Sequence, residues 1–388
     1  MRKSTRIYLD HAATTPVDPA VFEVMKPYFS ENYGNAGSLH SFGQAAITAI
    51  DEARSAIAKA IDAEFDEVIF TGGATEANNL ALRGALKRKD REPRPKVIVS
   101  FVEHESVLDT ARDFEREGAE VVYLPVDGSG FVDLVFLKKN LDERTVLVSV
   151  MYAQNEIGTI QPVAEIAEIL RDFRDGGIYP LFHTDAVQAF QFLDCNVNRL
   201  GVDLMTLSAH KIYGPKGAGA LYIRNGVKDA LAPVLTGGGQ EFGFRSGTEN
   251  VPAIAGFAKA VKLAVSGRVL EGSRLAGLKA RFWDGLKEIF PLAERNGGEP
   301  SLPNILNVHF PGKSSEELIL ALDAEGIAVS SGSACGSRVA RPSHVLQALG
   351  FPPERVKSSI RFSFGRSTSA EDVEKTLAAL DGLLRRNN

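Results

Sequence analysis

Lys211 occupies the position in this chain that most suggests covalent chemistry. It follows a strand-like run that ends in Ser208-Ala-His210, and a glycine-rich turn begins soon after it. A lysine held at a strand end beside a bound phosphate can form a Schiff base with a carbonyl cofactor. Ser208 and His210 are short polar groups that suit phosphate oxygens. Since most lysines are exposed, the position of Lys211 alone would favour a surface residue.

Asp185 and Gln188 strengthen the case for such a cofactor. The segment HTDAVQ places Asp185 at the end of another strand-like run. A carboxylate there can keep a pyridine nitrogen protonated, which makes the ring of pyridoxal 5'-phosphate (PLP) an electron sink. Gln188 could donate to the phenolic oxygen of the ring. Taken alone, Asp185 is explained equally well as the cap of a following helix.

Three more strand-like runs lead into polar segments. TGGATEANN (71–79) opens a helix whose N-terminus, at Ala74 and Thr75, could hold an anion. His104 could stack on a cofactor ring and move protons, and Asn155 could contact the ring oxygen or a substrate carboxylate. Alone, TGGATEANN is a weak signal that an ordinary strand-to-helix turn capped by Thr75 also explains, and a lone histidine is more often structural. Together they place polar groups at the carboxyl ends of strands, where open α/β sheets bind ligands.

Cys335 lies in a Ser- and Gly-rich loop, SSGSACGSRVARPSH (330–344). Arg338 and Arg341 follow closely, and nearby positive charge favours the nucleophilic thiolate. The alternative for any cysteine is a buried small hydrophobic residue. That alternative suits Cys195, in FLDCNVN, much better than Cys335.

Arg361 and Thr248 complete the set of candidate residues. Arg361 lies in the strand-like run SIRFSF, and a guanidinium can bind a carboxylate through two hydrogen bonds. The alternative is an arginine on the solvent face of a strand. Thr248, in the glycine-dense segment 237–250, could reach a phosphate, including one bound by a neighbouring subunit.

Strand-like and helical segments alternate over the first two-thirds of the chain. Helical patterns cover 74–89 and 163–174, between apolar runs typical of buried parallel strands. The alternation predicts an α/β fold with a mainly parallel, seven-stranded sheet between helices. The runs are DEVIFT (66–71), KVIVSF (96–101), AEVVYLP (119–125), TVLVSVMY (145–152), YPLFHTDA (179–186), VDLMTLSA (202–209) and GALYIRN (219–225).

The pattern changes near residue 250, where a long helical stretch leads to a smaller α+β region. That region contains predicted strands at 305–310 and 359–364 and a helix at 315–325. We predict a large PLP-binding domain over 15–262. The small domain would comprise 1–14 and 263–388 and carry the Cys335 loop.

Composition narrows the class of protein. The 388 residues are 44% hydrophobic with a net charge of −5, which argues against nucleic acid as a direct partner. No apolar run approaches the roughly 18 residues of a membrane span, and no apolar stretch follows the N-terminal basic residues as in a signal peptide. With two cysteines in the chain, we expect free thiols in a reducing cytoplasm. No metal site is predicted.

The ordered motifs resemble those of cysteine desulfurases, in the NifS/IscS branch of the class V aminotransferase family. The motifs are DHAATTP, GGATEANN, EHESVLD, QNEIG, HTDAVQ, SAHKIYGPKGAGAL, GGGQE…RSGTEN, SSGSAC and SIRFS, and they span nearly the whole chain. The resemblance implies PLP fold type I and a homodimer. It also implies that L-cysteine is converted to L-alanine while Cys335 takes the sulfur as a persulfide. A sulfur-acceptor protein for iron–sulfur cluster assembly or thiolation is then expected.

The resemblance assigns a role to each candidate residue. Lys211 would be the Schiff-base lysine and Cys335 the sulfur acceptor, with His104 stacking on the ring and handling protons. Asp185 would bind the pyridine nitrogen, and Gln188 would bind the phenolic oxygen. Positions at the phosphate are Ala74, Thr75, Ser208 and His210, with Thr248 contributed by the neighbouring subunit. Asn155 and Arg361 would bind the substrate carboxylate.

Some positions depart from the family pattern without removing a chemical group from this scheme. They are the loop GNAGSLH (34–40), Phe190, Phe242, Phe244 and Gly336. A selenocysteine lyase, an aminotransferase or a kynureninase-like hydrolase on the same fold remains an alternative, since fold alone does not separate them. Cys335 favours desulfuration, because transamination needs no thiol there. A non-catalytic assembly partner is the alternative of another class, and the presence of both Lys211 and Asp185 argues against it.

Overall fold

A computed structural model describes residues 6–87, 94–332 and 342–386. Its strands are β1 (Ile7–Tyr8), β2 (Val68–Thr71), β3 (Lys96–Ser100), β4 (Glu120–Leu124), β5 (Thr145–Ser149), β6 (Leu181–Asp185), β7 (Leu204–Ser208), β8 (Gly219–Ile223), β9 (Glu294–Asn296), β10 (Ile305–His309), β11 (Ile327–Ala328) and β12 (Ser359–Ser363). Its α-helices are α1 (Pro19–Met25), α2 (Pro27–Ser30), α3 (Ser41–Ile61), α4 (Ala74–Lys87), α5 (Glu105–Arg116), α6 (Leu134–Asn140), α7 (Val163–Arg174), α8 (Val197–Leu200), α9 (Val251–Ile289), α10 (Ser315–Ala324), α11 (His344–Ala348), α12 (Pro353–Val356) and α13 (Ala370–Arg386).

Seven strands form the central sheet, in the order β2-β8-β7-β6-β5-β3-β4. Strand β8 pairs antiparallel with both β2 and β7, and the other neighbours run parallel. Each of the seven predicted strands is therefore confirmed, as is the mainly parallel sheet. The predicted helices at 74–89 and 163–174 correspond to α4 and α7.

Helices cover both faces of this sheet, which explains the apolar runs of its strands. Within β3, Ile98 packs in one buried cluster while its neighbours Val97 and Val99 pack in another. The first cluster includes Ile50 of α3, and the second includes Leu80 of α4. Successive side chains of a strand point to opposite faces, so a strand buried on both sides needs apolar residues at nearly every position.

A second core lies in the C-terminal part. Strands β12, β10 and β9 form an antiparallel sheet, and β1 pairs in parallel with β11, with Ile7 opposite Ile327. The N-terminal strand therefore packs against the C-terminal region. Helix α9 contributes Phe257 to the large core and Phe282 to the small one. Since α9 runs through residue 262 without interruption, the boundary placed there stays a prediction.

Within the described ranges, no helix combines the length and apolar character needed to cross a membrane.

Candidate active site

A cavity of about 1020 Å³ opens at the carboxyl ends of the parallel strands. Its wall also includes Ala12 and Ala13 from the N-terminal segment and Gly332 from the C-terminal region. The cavity thus brings together residues that are far apart in the chain, as expected for the ligand site of an α/β sheet. The predicted residues that line it are Ala74, Thr75, His104, Asn155, Asp185, Gln188, Ser208, His210, Lys211 and Arg361.

Lys211 lines this cavity, so the surface alternative is wrong. Its Nζ donates hydrogen bonds to the carbonyl oxygens of Ala12 and Ala13, at 2.5 and 2.7 Å. Gln188 Nε2 donates to the same Ala12 oxygen at 2.9 Å. The DHAATTP segment therefore forms part of the wall beside the amine, a contact that spacing along the chain could not reveal.

A hydrogen-bonded chain links Asp185 to His104. Asn78 Nδ2 donates to Asp185 Oδ2 at 2.9 Å and to Ser106 Oγ at 2.8 Å. The Ser106 hydroxyl lies 2.9 Å from His104 Nδ1, and the Ser106 N–H donates to that nitrogen at 3.1 Å. Since Nδ1 accepts a hydrogen bond, a neutral His104 carries its proton on Nε2.

Asp185 is 5% exposed and ends β6, as predicted. No helix begins at Ala186; instead Asp185 Oδ1 accepts from the Val187 N–H at 2.9 Å in a local turn. The helix-cap alternative is therefore wrong. A carboxylate fixed by two donors and facing a cavity is suited to hold a cationic ring nitrogen.

Ser208 and His210 also line the cavity. Ser208 is 3% exposed, and its Oγ has no hydrogen-bond partner among the described residues. Burial, together with the smaller effect of the positive charges of Lys211 and Lys216, lowers the pKa of His210 to about 4. His210 is therefore neutral near pH 7, and its Nδ1 lies 3.1 Å from Thr14 Oγ1.

The turn before α4 lies close to Ser208, because Gly219, which pairs with Ser208, approaches Gly73. Helix α4 begins at Ala74, and a helix N-terminus presents N–H groups to negative charge. A Cβ added at Gly219 would lie 2.7 Å from the Gly73 carbonyl carbon, so only glycine permits this approach of β8 to the turn. Ser208 Oγ, unpaired within the described part of the chain, and the N-terminus of α4 fit the phosphate of PLP. The Asp185 carboxylate fits its ring nitrogen.

Arg361 is 2% exposed, so the alternative of a solvent-facing arginine is wrong. Its Nη2 donates to Asp10 Oδ1 at 2.7 Å and its Nη1 to the Asn155 carbonyl at 2.9 Å. The Asn155 side-chain oxygen accepts from Gln154 Nε2 at 3.3 Å. Arg361 and Asn155 thus stand side by side at the cavity wall, where a carboxylate could bind both.

Two predicted residues are not among those that line the cavity in the described part of the chain: Thr248 lies elsewhere, and Cys335 is outside the described residues. Thr248 is exposed and does not contribute to the cavity wall within one chain, so its role toward a second subunit stays a prediction. Cys335 lies outside the described residues, as do Arg338, Arg341 and Gly336. The described cysteine, Cys195, is buried, and burial raises its thiol pKa to about 12, as suits a core residue.

Glu103 is a buried group that sequence analysis missed. Burial raises its pKa well above the ordinary value for glutamate, and the charge of Asp185 raises it further. Its Oε1 accepts from the Met151 N–H, and its backbone oxygen lies 3.0 Å from His344 Nε2. Its place before His104 in the EHES motif was the available signal.

Two departures from the family pattern have a clear packing role. Phe242 lies against the guanidinium of Arg54, 4.9 Å from the ring centroid, and Arg54 pairs with the buried Glu241. Phe190 is buried beneath Arg268, with 5.6 Å between guanidinium and ring centroid. Neither ring lines the cavity, so these changes alter the scaffold around the site rather than its chemistry.

Comparisons with known proteins agree with this geometry. The family described as "Aminotransferase class-V" matches residues 7–376. "Cysteine desulfurase IscS" of Dictyoglomus turgidum is 46% identical over 98% of this chain and 95% of its own length. "Putative cysteine desulfurase IscS 1" of Bacillus subtilis is also 46% identical, over 98% and 99%. A solved "NIFS-LIKE PROTEIN" superposes with a TM-score of 0.91 at 36% identity, covering 98% of this chain and 100% of that one. The chain therefore belongs to the class-V aminotransferase family, in its branch of IscS- and NifS-like cysteine desulfurases.

Proposed function

We propose that this protein is a PLP-dependent cysteine desulfurase that moves the sulfur of L-cysteine onto Cys335. The observation that carries the proposal is the convergence of Lys211, Asp185 and Arg361 on one cavity. A PLP enzyme that acts on an amino acid needs an amine for the Schiff base, a carboxylate at the ring nitrogen and a cation for the substrate carboxylate. These three residues supply them. Among the reactions of such enzymes, the similarity to proteins named cysteine desulfurase favours removal of sulfur from cysteine.

The cavity residues would hold the cofactor at both ends. Asp185, fixed by Asn78, would keep the ring nitrogen protonated, and the α4 N-terminus with Ser208 would bind the phosphate. When bound, PLP supplies a conjugated ring that takes up the electron pair released at the substrate Cα.

The remaining residues would orient the substrate and move protons. Arg361 and Asn155 would bind the carboxylate of L-cysteine, which directs its amino group toward Lys211. The Lys211 amine would take the Cα proton, and His104 would handle the proton of the substrate thiol.

The sulfur step is a nucleophilic displacement at sulfur. The Cys335 thiolate attacks the sulfur of L-cysteine, an S–S bond forms, and the C–S bond breaks with its electron pair left on carbon. That carbon takes up a proton, and L-alanine is released. One L-cysteine and one thiol therefore give one L-alanine and one persulfide, without an external oxidant.

We further propose a cytoplasmic homodimer that hands its sulfur to an acceptor protein for iron–sulfur cluster assembly or thiolation. Exposed apolar side chains between residues 22 and 42 offer a surface for a second copy, namely Phe22, Phe29, Tyr33, Leu39 and Phe42. Thr248 is exposed, which suits a contact with the second subunit of the proposed dimer. The free thiol of Cys195 is in keeping with a reducing compartment.

The proposal is tested by product analysis with PLP, a reductant and L-cysteine, with and without a 2-oxo acid. A desulfurase forms alanine and sulfide in equal amounts whether or not the 2-oxo acid is present. Product formation that requires the 2-oxo acid would show an aminotransferase. Turnover of L-selenocysteine with no turnover of L-cysteine would show a selenocysteine lyase.

A further inference from the structure

Glu156 is a buried carboxylate at the junction of the two cores, and the mechanism above gives it no role. It is 3% exposed and lies in the segment after β5. Its backbone oxygen accepts from Asn307 Nδ2, on β10 of the small sheet, at 3.2 Å. The residue is therefore anchored where a loop of the large sheet meets the C-terminal region.

The Glu156 carboxylate contacts Ser343 and Gly332, two residues of the C-terminal region. Ser343 Oγ donates to Glu156 Oε2 at 2.6 Å. The same Ser343 oxygen accepts from the Leu346 N–H at 3.1 Å and caps α11. Since a hydroxyl has one hydrogen, Ser343 uses it on Glu156.

Gly332 lies against the same carboxylate oxygen. Its φ is +95°, and a Cβ added there would lie 2.6 Å from Glu156 Oε2 and 3.0 Å from Cδ. Glycine is thus required both by the backbone conformation and by this close approach. Gly332 also lines the cavity, so the Glu156 carboxylate lies against a residue of the cavity wall.

A buried carboxylate is costly unless polar or charged neighbours compensate it. Burial raises the pKa of Glu156, while the Ser343 hydrogen bond and the charges of His344 and Arg361 act in the opposite direction. Two of these compensating groups, Ser343 and His344, come from one short stretch after Cys335 in the sequence. Ser343 and His344 therefore stabilise the charged form of Glu156 only while they lie beside its carboxylate.

We propose that Glu156 is a positioning residue for sulfur transfer. Its carboxylate fixes Gly332 and Ser343, and Cys335 lies between these two positions in the sequence. The inference rests on the proposed function, because it assigns the sulfur to Cys335. It separates two parts of the reaction: Glu156 acts on delivery of sulfur, and not on cofactor binding or on the Lys211-dependent removal of the Cα proton.

Two readouts on the PLP-loaded protein separate these parts. The first is a single turnover with one equivalent of L-cysteine, with alanine and the trapped Cys335 persulfide measured. The second is exchange of the Cα proton of L-alanine for deuterium in D2O, which needs no thiol. Glu156→Gln should slow the first about tenfold or more, as expected for losing a hydrogen bond to a charged group. It should leave the second within about twofold of the wild type, with unchanged cofactor absorbance.

Variants at the partner residue test the same contact. Ser343→Ala should slow the single turnover to a similar extent, and Ser343→Thr, which keeps the hydroxyl, should restore most of the rate. The double variant Glu156→Gln/Ser343→Ala should be no slower than the slower of its two single variants, because each single variant already removes the same interaction. Glu67→Gln is the matched control: Glu67 is also buried, but its carboxylate accepts from Glu64 and Asn225 instead.

The outcomes distinguish this inference from the proposed function. A Glu156→Gln protein with unchanged single turnover, or with both readouts lowered equally, overturns the positioning role. If Glu156→Gln does not fold, an unchanged single turnover in Ser343→Ala overturns it. A wild type that exchanges the Cα proton of L-alanine but forms no alanine from L-cysteine refutes the proposed function itself.

Discussion

Asn78 Nδ2 donates a hydrogen bond to Asp185 Oδ2 at 2.9 Å, and Asn78 is fully buried. The same nitrogen reaches Ser106 Oγ, which lies beside His104. One amide of α4 therefore holds two candidate cofactor groups that come from different strand ends. Asp185 is kept in position by this amide as well as by its own local turn.

Removing this amide should weaken both the fold and the cofactor site. Hydrogen bonds to charged groups contribute about 1.5–3 kcal/mol, so Asn78→Ala should lower the free energy of unfolding by about that amount. Denaturant titration measures this, and equilibrium titration with PLP should show weaker binding. Asn198→Ala, at an exposed position, is the control. Unchanged stability and PLP affinity in Asn78→Ala would remove Asn78 from the account.

Ser208→Ala should affect the free and the PLP-loaded protein in opposite ways. The Ser208 hydroxyl is buried without a partner among the described residues, so its removal should leave the PLP-free protein equally stable or slightly more stable. If it binds the phosphate, PLP affinity should fall about tenfold to hundredfold. Thermal unfolding with and without PLP checks both effects, with exposed Ser266→Ala as control. Equal PLP affinity in wild type and Ser208→Ala would contradict the phosphate assignment.

Lys211→Ala should abolish the absorbance band that PLP acquires when a lysine of this protein holds it covalently. Alanine formation should fall by at least about 10²–10⁴-fold, since the same amine is the proposed base. Absorbance after desalting and product analysis measure the two effects. Lys228→Ala, which breaks an ion pair with Asp66 away from the cavity, should change neither. A band that persists in Lys211→Ala would assign the covalent role to another lysine.

The strand pattern and the strand-end residues could be predicted from sequence because both depend on local order. Buried parallel strands require apolar runs, and polar side chains that directly follow such runs meet at one sheet edge. Lys211 and Asp185 were found in this way. That Arg361 is buried in the cavity wall could be seen only in the structure, since SIRFSF alone does not show which face of β12 is covered.

Contacts between distant segments could not be predicted from sequence. The carbonyl groups of Ala12 and Ala13 carry no side-chain signal, yet they accept from Lys211. Asn78 lies within a recognised motif, but its partner Asp185 is 107 positions away. Glu156 likewise depends on Ser343. Such pairings are decided by how the two cores pack, which spacing along the chain does not encode.

The buried His183 should make stability depend on pH. Its ring nitrogens lie 2.8 Å from Ser149 Oγ and 3.1 Å from Thr206 Oγ1, and burial lowers its pKa to about 3. Between this value and about 6.5, the ordinary histidine pKa, the unfolded chain binds a proton that the folded chain does not. The stability due to neutral His183 is therefore complete above about pH 6.5 and is lost as pH falls.

The expected slope is about 1.4 kcal/mol per pH unit for this histidine. Denaturant titrations between pH 6 and pH 4 should give His183→Gln a shallower dependence than the wild type by about that amount. Comparing slopes cancels the contribution of the buried Glu103 and Glu156, which both proteins share. His40→Gln, at an exposed histidine, serves as control. Parallel pH curves for wild type and His183→Gln would contradict the prediction.

The most direct test of the proposed chemistry is the yield of alanine and protein persulfide from L-cysteine in wild type, Cys335→Ala and Cys195→Ala. The account predicts equal amounts of both products from the wild type. It predicts a loss of at least about 10³-fold in Cys335→Ala, because the nucleophile is gone. Cys195→Ala should form both products at nearly the wild-type rate, since Cys195 is a buried core thiol. Wild-type rates of alanine and persulfide formation in Cys335→Ala would contradict the central claim that Cys335 receives the sulfur.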